Sequence, residues 1–254
     1  MSPAETVQQQ LRALNCTTAA QALDDVQARA QRDGWPLTRF LQELCALELE
    51  GRRQNRVARL LRDSHLPAGK TLATLDQGRL PVRLRRQLAE LCTGEFVGRA
   101  ENVLLFGLPG RGKTHYAATV GQALVELGHS VLFTPTFRLV DELLRAKRDL
   151  ELDRALRRLD RYAVLILDDL GYVQQSRDEM EVLFTLLAER YERRSVIITS
   201  NLVFSEWERI FKDPLTTAAA IDRLVHHCVI VEFGKDMRSQ RAEQAAQRRR
   251  QETA

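Results

Sequence analysis

Gly107-Leu108-Pro109-Gly110-Arg111-Gly112-Lys113-Thr114 follows the apolar run Val103-Leu104-Leu105-Phe106 and opens a stretch with helical spacing. The glycines free the backbone to curl so that successive N–H groups point inward, and the following helix adds the positive end of its dipole. The product is a cradle for a polyphosphate. Lys113 is expected to reach the β and γ phosphates and Thr114 to hold Mg²⁺ through its hydroxyl. Strand, glycine loop and helix in this order read as an α/β fold.

Outward from the loop, short buried strands alternate with helices from Asn102 onward, the pattern of a parallel sheet covered on both faces. Five strands are expected, at 102–106, 130–134, 163–168, 195–200 and 228–233. Helices are expected at 113–127, closed by Gly128, and at 178–193. Asp213-Pro214 supplies an N-cap and a first-turn proline, which predicts a further helix to about His226. The second and third strands are separated by room for two helices, Thr136–Arg148 and Leu150–Arg161, more than a simple crossover requires.

Ala163-Val-Leu-Ile-Leu-Asp168-Asp169 is an apolar strand ending in two carboxylates, the expected companion of a phosphate loop. Ligands of open α/β sheets sit outside the carboxyl ends of the strands, so Asp168 is placed to join the Mg²⁺ shell. Asp169 is the candidate general base that polarises an attacking water. Val196-Ile-Ile-Thr199-Ser200-Asn201 is another buried strand with a polar end. Arg223, on the helix before the last strand, is a candidate cation for a neighbouring subunit's nucleotide, with an ion pair to Asp222 as the competing assignment. His226 and His227 lack a third ligand at metal spacing and read as packing residues.

Residues 1–64 read as a small helical domain, with Phe40, Leu41, Leu44, Leu47 and Leu49 at helical intervals between Thr38 and Arg62 and Gly51 as the weak point. His65-Leu-Pro-Ala-Gly69 is a natural linker, and 65–101 includes a basic helix, Val82 to Leu91. The nucleotide-binding unit spans 102–234 and a basic tail spans 235–254. In a chain of 254 residues with 44 % hydrophobic content this allows one α/β domain and a smaller appendage, and it excludes native disorder. No apolar run is long enough to cross a bilayer and no secretion signal opens the chain, so a cytosolic protein without membrane attachment is expected. Cys16, Cys45, Cys92 and Cys228 are scattered and are expected to be reduced and mostly buried.

A formal charge of +4 is mild, but its distribution is not: Arg52, Arg53, Arg56, Arg59 and Arg62 fall in one stretch without an acid, and the tail carries Arg248-Arg249-Arg250. Clusters of this kind suggest a polyanionic partner, although charge runs are usually solvated faces.

Taken together, GLPGRGKTH, AVLILDDLGY, RYERRSVIITSNLVFSEWERIF and AIDRLVHHCVIV resemble the IstB-type ATP-binding proteins, helper ATPases of insertion-sequence transposition within the AAA+ superfamily, close to the DnaC-type helicase loaders. The resemblance covers nearly the whole chain, including PLTRFLQELCALELEGRRQNRVARLLR near the N-terminus. It departs at Asp169, where many relatives carry Glu, and in the tail after Phe233.

The resemblance implies an AAA+ module without a C-terminal lid domain. It implies ATP and Mg²⁺ as ligands, held by Gly107, Leu108, Pro109, Gly110, Arg111, Gly112, Lys113, Thr114 and His115, with Asp168 also on the metal. Lys113, Asp169, Asn201 and Arg223 become catalytic, with Asn201 orienting the water and Arg223 reaching a neighbouring subunit of a ring or spiral. It further implies that the two-helix insertion holds double-stranded DNA, largely without reading sequence. Arg145, Lys147 and Arg148 close its first helix, and Arg154, Arg157, Arg158 and Arg161 recur at i, i+3, i+4, i+7 on the second. Arg52, Arg56 and Arg59 add a second basic surface. The implied activity is a DNA-stimulated ATPase that assembles on target DNA, remodels it and recruits a transposase, with hydrolysis controlling disassembly. The alternative is a DnaC-type helicase loader, and a third reading, prompted by Asp169, is a non-catalytic nucleotide switch.

Overall fold

A computed structural model describes residues 3–171, 176–202, 224 and 227–234. The helix expected at 213–226, the tail, Asp222, Arg223 and His226 lie outside the described residues. The chain divides into two compact units between Arg59 and Leu60.

The first unit is helical: α1 (Pro3–Ala13), α2 (Thr17–Arg32) and most of α3 (Leu37–Asp63). Its core gathers Ala19, Ala20, Leu23 and Val26 of α2 with Leu44 of α3. Helix α2 has no side-chain cap of its own from Cys16, and its first N–H groups are satisfied from α3. Glu48 Oε2 accepts from Thr18 N and Ala19 N, each at 3.0 Å, while Glu48 Oε1 accepts from Arg52 Nε at 2.8 Å. The guanidinium and the two amides hold the Glu48 carboxyl below the usual glutamate range. Helix α3 continues through Gly51. A Cβ there would lie 2.3 Å from Thr18 Oγ1, so the glycine is what lets α3 pass close to α2.

The second unit carries α4 (Val82–Leu91) and α5 (Glu95–Gly98), then β1 (Asn102–Gly107), α6 (Lys113–Glu126), β2 (Val131–Pro135), α7 (Thr136–Arg148), α8 (Leu152–Leu159), β3 (Val164–Leu170), α9 (Arg177–Arg190), β4 (Ser195–Ser200) and β5 (Cys228–Phe233). The five strands form one parallel sheet in the order β2-β3-β4-β1-β5, as the alternating pattern requires. Leu104, Phe106, Leu165, Leu167 and Ile198 of the sheet share a core with Leu139, Leu143, Leu156, Leu183 and Leu186 from α7, α8 and α9. Helix α6 packs on the sheet closely enough that a Cβ on Gly121 would meet Ile166 Cδ1 at 2.6 Å.

Two helices end sooner than the pattern predicts, and Arg190 is involved in both. Its guanidinium, 2 % exposed, donates to the carbonyls of Leu159 (3.2 Å), Tyr162 (3.0 Å), Ala163 (3.3 Å) and Ser195 (3.1 Å). Leu159 is the last residue of α8 and its carbonyl also accepts from Tyr162 N at 3.1 Å in a tight closing turn, so Arg161 lies beyond the helix and not on an extended arginine stripe. Helix α9 stops at Arg190 because Tyr191 leaves the helical region and Glu192 turns left-handed. Burial pushes the Arg190 guanidinium down to about 10. The cysteines also differ from expectation: Cys45 is exposed and Cys16, Cys92 and Cys228 are only partly covered, so none is a core residue. Among the described residues no helix is long and apolar enough to cross a membrane.

Candidate functional site

Strand β4 lies between β1, which leads into the glycine loop, and β3, which ends in the two aspartates. Phe106 of β1 is level with Ser200 of β4, so the three carboxyl ends deliver Gly107, Asn201 and the aspartates to one rim. This order is why residues nearly a hundred positions apart meet.

The loop begins at Gly107 with φ 150°. A Cβ there would lie 2.6 Å from Phe233 Cβ and 2.8 Å from the Phe233 carbonyl oxygen of β5, so no other residue fits without moving backbone. Gly112, at φ 95°, is the left-handed N-cap of α6, and nothing lies within 4 Å of where its Cβ would stand. The left-handed backbone, not lack of room, is therefore what calls for glycine there, and it leads into the N-terminal end of α6, which suits an anion.

Lys113 is 6 % exposed, and its ammonium donates to Gly107 O at 2.5 Å, Leu108 O at 3.1 Å and Asn201 Oδ1 at 2.6 Å. These oxygens offset the desolvation of a buried cation and aim it at the rim of the sheet. Asn201 also faces the other way: its Nδ2 donates to Asp169 Oδ1 at 3.1 Å. One amide thus joins the loop lysine to the second aspartate. Thr114, half-buried, opens α6 beside Lys113.

Asp168 accepts Thr199 Oγ1 at 2.7 Å, and its own carbonyl accepts Thr136 Oγ1 at 2.9 Å. Asp169 has φ 65°, and its N–H donates to Thr199 Oγ1 at 2.9 Å. Nothing in the sequence pattern marks the hydroxyls of Thr136 and Thr199 as part of the site. Thr199 belongs to the strand 196–201 with the polar end, and only the fold reveals that its hydroxyl meets both aspartates.

His115, expected among the nucleotide ligands, turns its ring toward the preceding segment. Its Nε2 lies 3.1 Å from Thr71 O and 3.2 Å from Thr74 Oγ1. Arg111 is half-buried and Leu108 is exposed on the loop.

The insertion presents its cations among carboxylates. Arg145 and Arg148 are exposed at the end of α7, whereas Lys147 pairs with Glu181 at 2.8 Å. On α8, Arg154 pairs with Glu151 at 3.3 Å, Arg158 pairs with Glu142, and Arg157 lines a cleft with Asp153, Asp160 and Glu189. In the helical unit Arg52 is held by Glu48, and Arg56 and Arg59 are exposed on α3.

The groups present fit a magnesium nucleotide: a helix N-terminus led by left-handed glycine backbone, a buried ammonium, and an oriented aspartate at the same rim. Comparison with known proteins agrees. Residues 9–246 match the family described as IstB-like ATP binding protein. The chain is similar to an insertion-sequence ATP-binding protein of Sinorhizobium fredii, 45 % identical over 223 residues covering 87 % of this chain and 75 % of that one. It is also similar to the insertion sequence IS21 ATP-binding protein of Pseudomonas aeruginosa, 42 % identical over 74 % of this chain and 71 % of the other. Among solved structures it is similar in fold to the DnaC helicase loader, with a TM-score of 0.51 at 19 % identity over 61 % of this chain and 92 % of that one. The parallel sheet and the glycine loop accord with these matches, and the chain belongs to the IstB-like ATP binding protein family.

Proposed function

We propose that this chain is an ATPase of an insertion sequence that assembles on duplex DNA with ATP bound, remodels it and recruits the cognate transposase, and that hydrolysis releases the assembly. The observation that carries the reading is the continuous contact from Lys113 through Asn201 to Asp169, which couples the phosphate loop to the candidate base. Lys113 offsets charge on the β and γ phosphates, and Asn201 orients water beside Asp169. Asp169 accepts the proton as water oxygen bonds to the γ phosphorus and the bond to the β–γ bridging oxygen breaks. Thr114 and Asp168 would hold Mg²⁺, which supplies charge neutralisation across the phosphates. Arg223 of a neighbouring protomer is proposed to complete the site, on the strength of the sequence.

Replacing Lys113 by Ala tests the scheme. Light scattering should show no ATP-dependent assembly on duplex DNA, and assembly equal to the unaltered protein would refute it.

One observation favours the second reading, a helicase loader. The helical unit carries an apolar groove of about 650 Å³ lined by Val7, Leu23, Ala30, Trp35, Leu37 and Phe40, with Leu37 73 % exposed. A protein-gripping module needs such a groove, whereas DNA contact needs the α3 arginines. Co-purification separates the two readings: a transposase supports the first and a replicative helicase the second.

A further inference from the structure

Strand β3 does not run evenly against β4. Leu167 is level with Ile198 and Leu170 with Ser200, so two residues of β3, Asp168 and Asp169, stand opposite one residue of β4, Thr199. This is a β-bulge, a device that re-aims side chains beside a site. The bulge needs Asp169 in left-handed backbone, which an L side chain rarely adopts.

The Thr199 hydroxyl is used in both directions. It accepts from the Asp169 N–H at 2.9 Å, a group that can only donate, so its own hydrogen must go elsewhere. It goes to Asp168 Oδ1 at 2.7 Å. Thr199 itself is 1 % exposed, so its hydroxyl is turned away from solvent and toward these two partners. The hydroxyl therefore fixes the rotation of one carboxylate, leaving its second oxygen for a cation, and pins the backbone from which the other projects. Ser200 Oγ reinforces the far side of the bulge by donating to Leu170 O at 2.9 Å.

We infer that Thr199 is a positioning residue for nucleotide hydrolysis, setting Asp168 toward the metal and Asp169 toward water through one hydroxyl. The inference rests on the ATPase reading above. A hydroxyl serving only to satisfy buried polar groups would affect stability without changing metal dependence.

The test compares Thr199→Val, which keeps the shape and loses the hydroxyl, with Thr199→Ser, which keeps the hydroxyl. In the valine protein, binding of a fluorescent ATP analogue in EDTA should match the unaltered protein. The Mg²⁺ concentration for half-maximal tightening of that binding should rise about tenfold, and kcat should fall about tenfold or more with KM within about threefold. Amide exchange at Asp169 should accelerate. Serine should restore all three to within about threefold. Unchanged metal dependence in the valine protein, or serine as impaired as valine, overturns the inference. Should the valine protein fail to fold, Thr199→Ala replaces it under the same criteria. If the unaltered protein shows no Mg²⁺-dependent phosphate release, the ATPase reading fails instead, while exchange at Asp169 still tests the contact itself.

Discussion

The ammonium of Lys113 and the side-chain oxygen of Asn201 lie 2.6 Å apart, and the nitrogen of the same amide lies 3.1 Å from Asp169 Oδ1. A lysine of the loop after β1 and an aspartate at the end of β3 are thus held by one side chain from the strand between them. The amide suits this place because it presents an acceptor to the cation and a donor to the carboxylate.

Asn201→Ala should therefore lower turnover more than affinity. We expect kcat to fall by about tenfold or more with nucleotide binding within about threefold, as for loss of a group acting mainly in the transition state. Phosphate release and equilibrium binding measured on the same preparation check it. Parallel losses in both would move Asn201 to a binding role.

Asp169→Asn keeps the size of the side chain and removes the base. ATP and DNA binding should survive, while hydrolysis drops by roughly 10²-fold or more, the usual contribution of a positioned general base. Single-turnover phosphate release is the measurement, and turnover within threefold of the unaltered protein would exclude Asp169 as the base.

Gly107→Ala should weaken the ATPase unit as well as its site. The added methyl would meet Phe233 backbone at 2.8 Å in a conformation that alanine disfavours. A cost of about 1–3 kcal/mol follows from overpacking, or a Tm lower by several degrees in a scanning fluorimeter.

Glu48 makes the helical unit sensitive to acid. Its carboxyl is held below the ordinary value in the folded chain, so its contribution is complete at neutral pH and is lost as the pH falls below about 4.3 through the folded value. Glu48→Gln should remove roughly 1–2 kcal/mol at pH 7 and flatten the acid limb of the stability curve. Helicity of a fragment cannot substitute for the whole chain in this experiment, so thermal unfolding of the full protein from pH 3 to 7 is the check.

Contacts to DNA phosphates should be unequal. Arg145 and Arg148 have no ion pair among the described residues, whereas Arg154 and Arg158 face Glu151 and Glu142. Neutralising Arg145 and Arg148 together should reduce the salt slope of DNA binding by about two, and Arg154→Ala by less than one. Fluorescence anisotropy titrations between low and physiological salt test the order, and equal slopes for all variants would remove the insertion from the interface.

Much of this was legible in the chain. The glycine loop, the two aspartates after an apolar strand, and the alternation of strands and helices are local patterns, fixed by spacing and residue type. Helix ends were less legible: α8 closes at Leu159, whose carbonyl accepts both from Tyr162 N in a tight turn and from Arg190, 31 residues away. The arginine stripe loses Arg161 because the helix closes before it. Glu48 reads as one acid in a charged helix, and its capping of α2 exists only when the two helices pack.

The sequence by itself determined which groups could act: a phosphate loop needs glycines, lysine and threonine at fixed separations, and those separations are covalent. What the tertiary structure alone decided is how they are coupled. Placing β4 between β1 and β3 brings Asn201 against both Lys113 and Asp169, and the bulge sets Thr199 against both aspartates. Strand order and register are products of packing between distant segments, and no spacing along the chain encodes them directly.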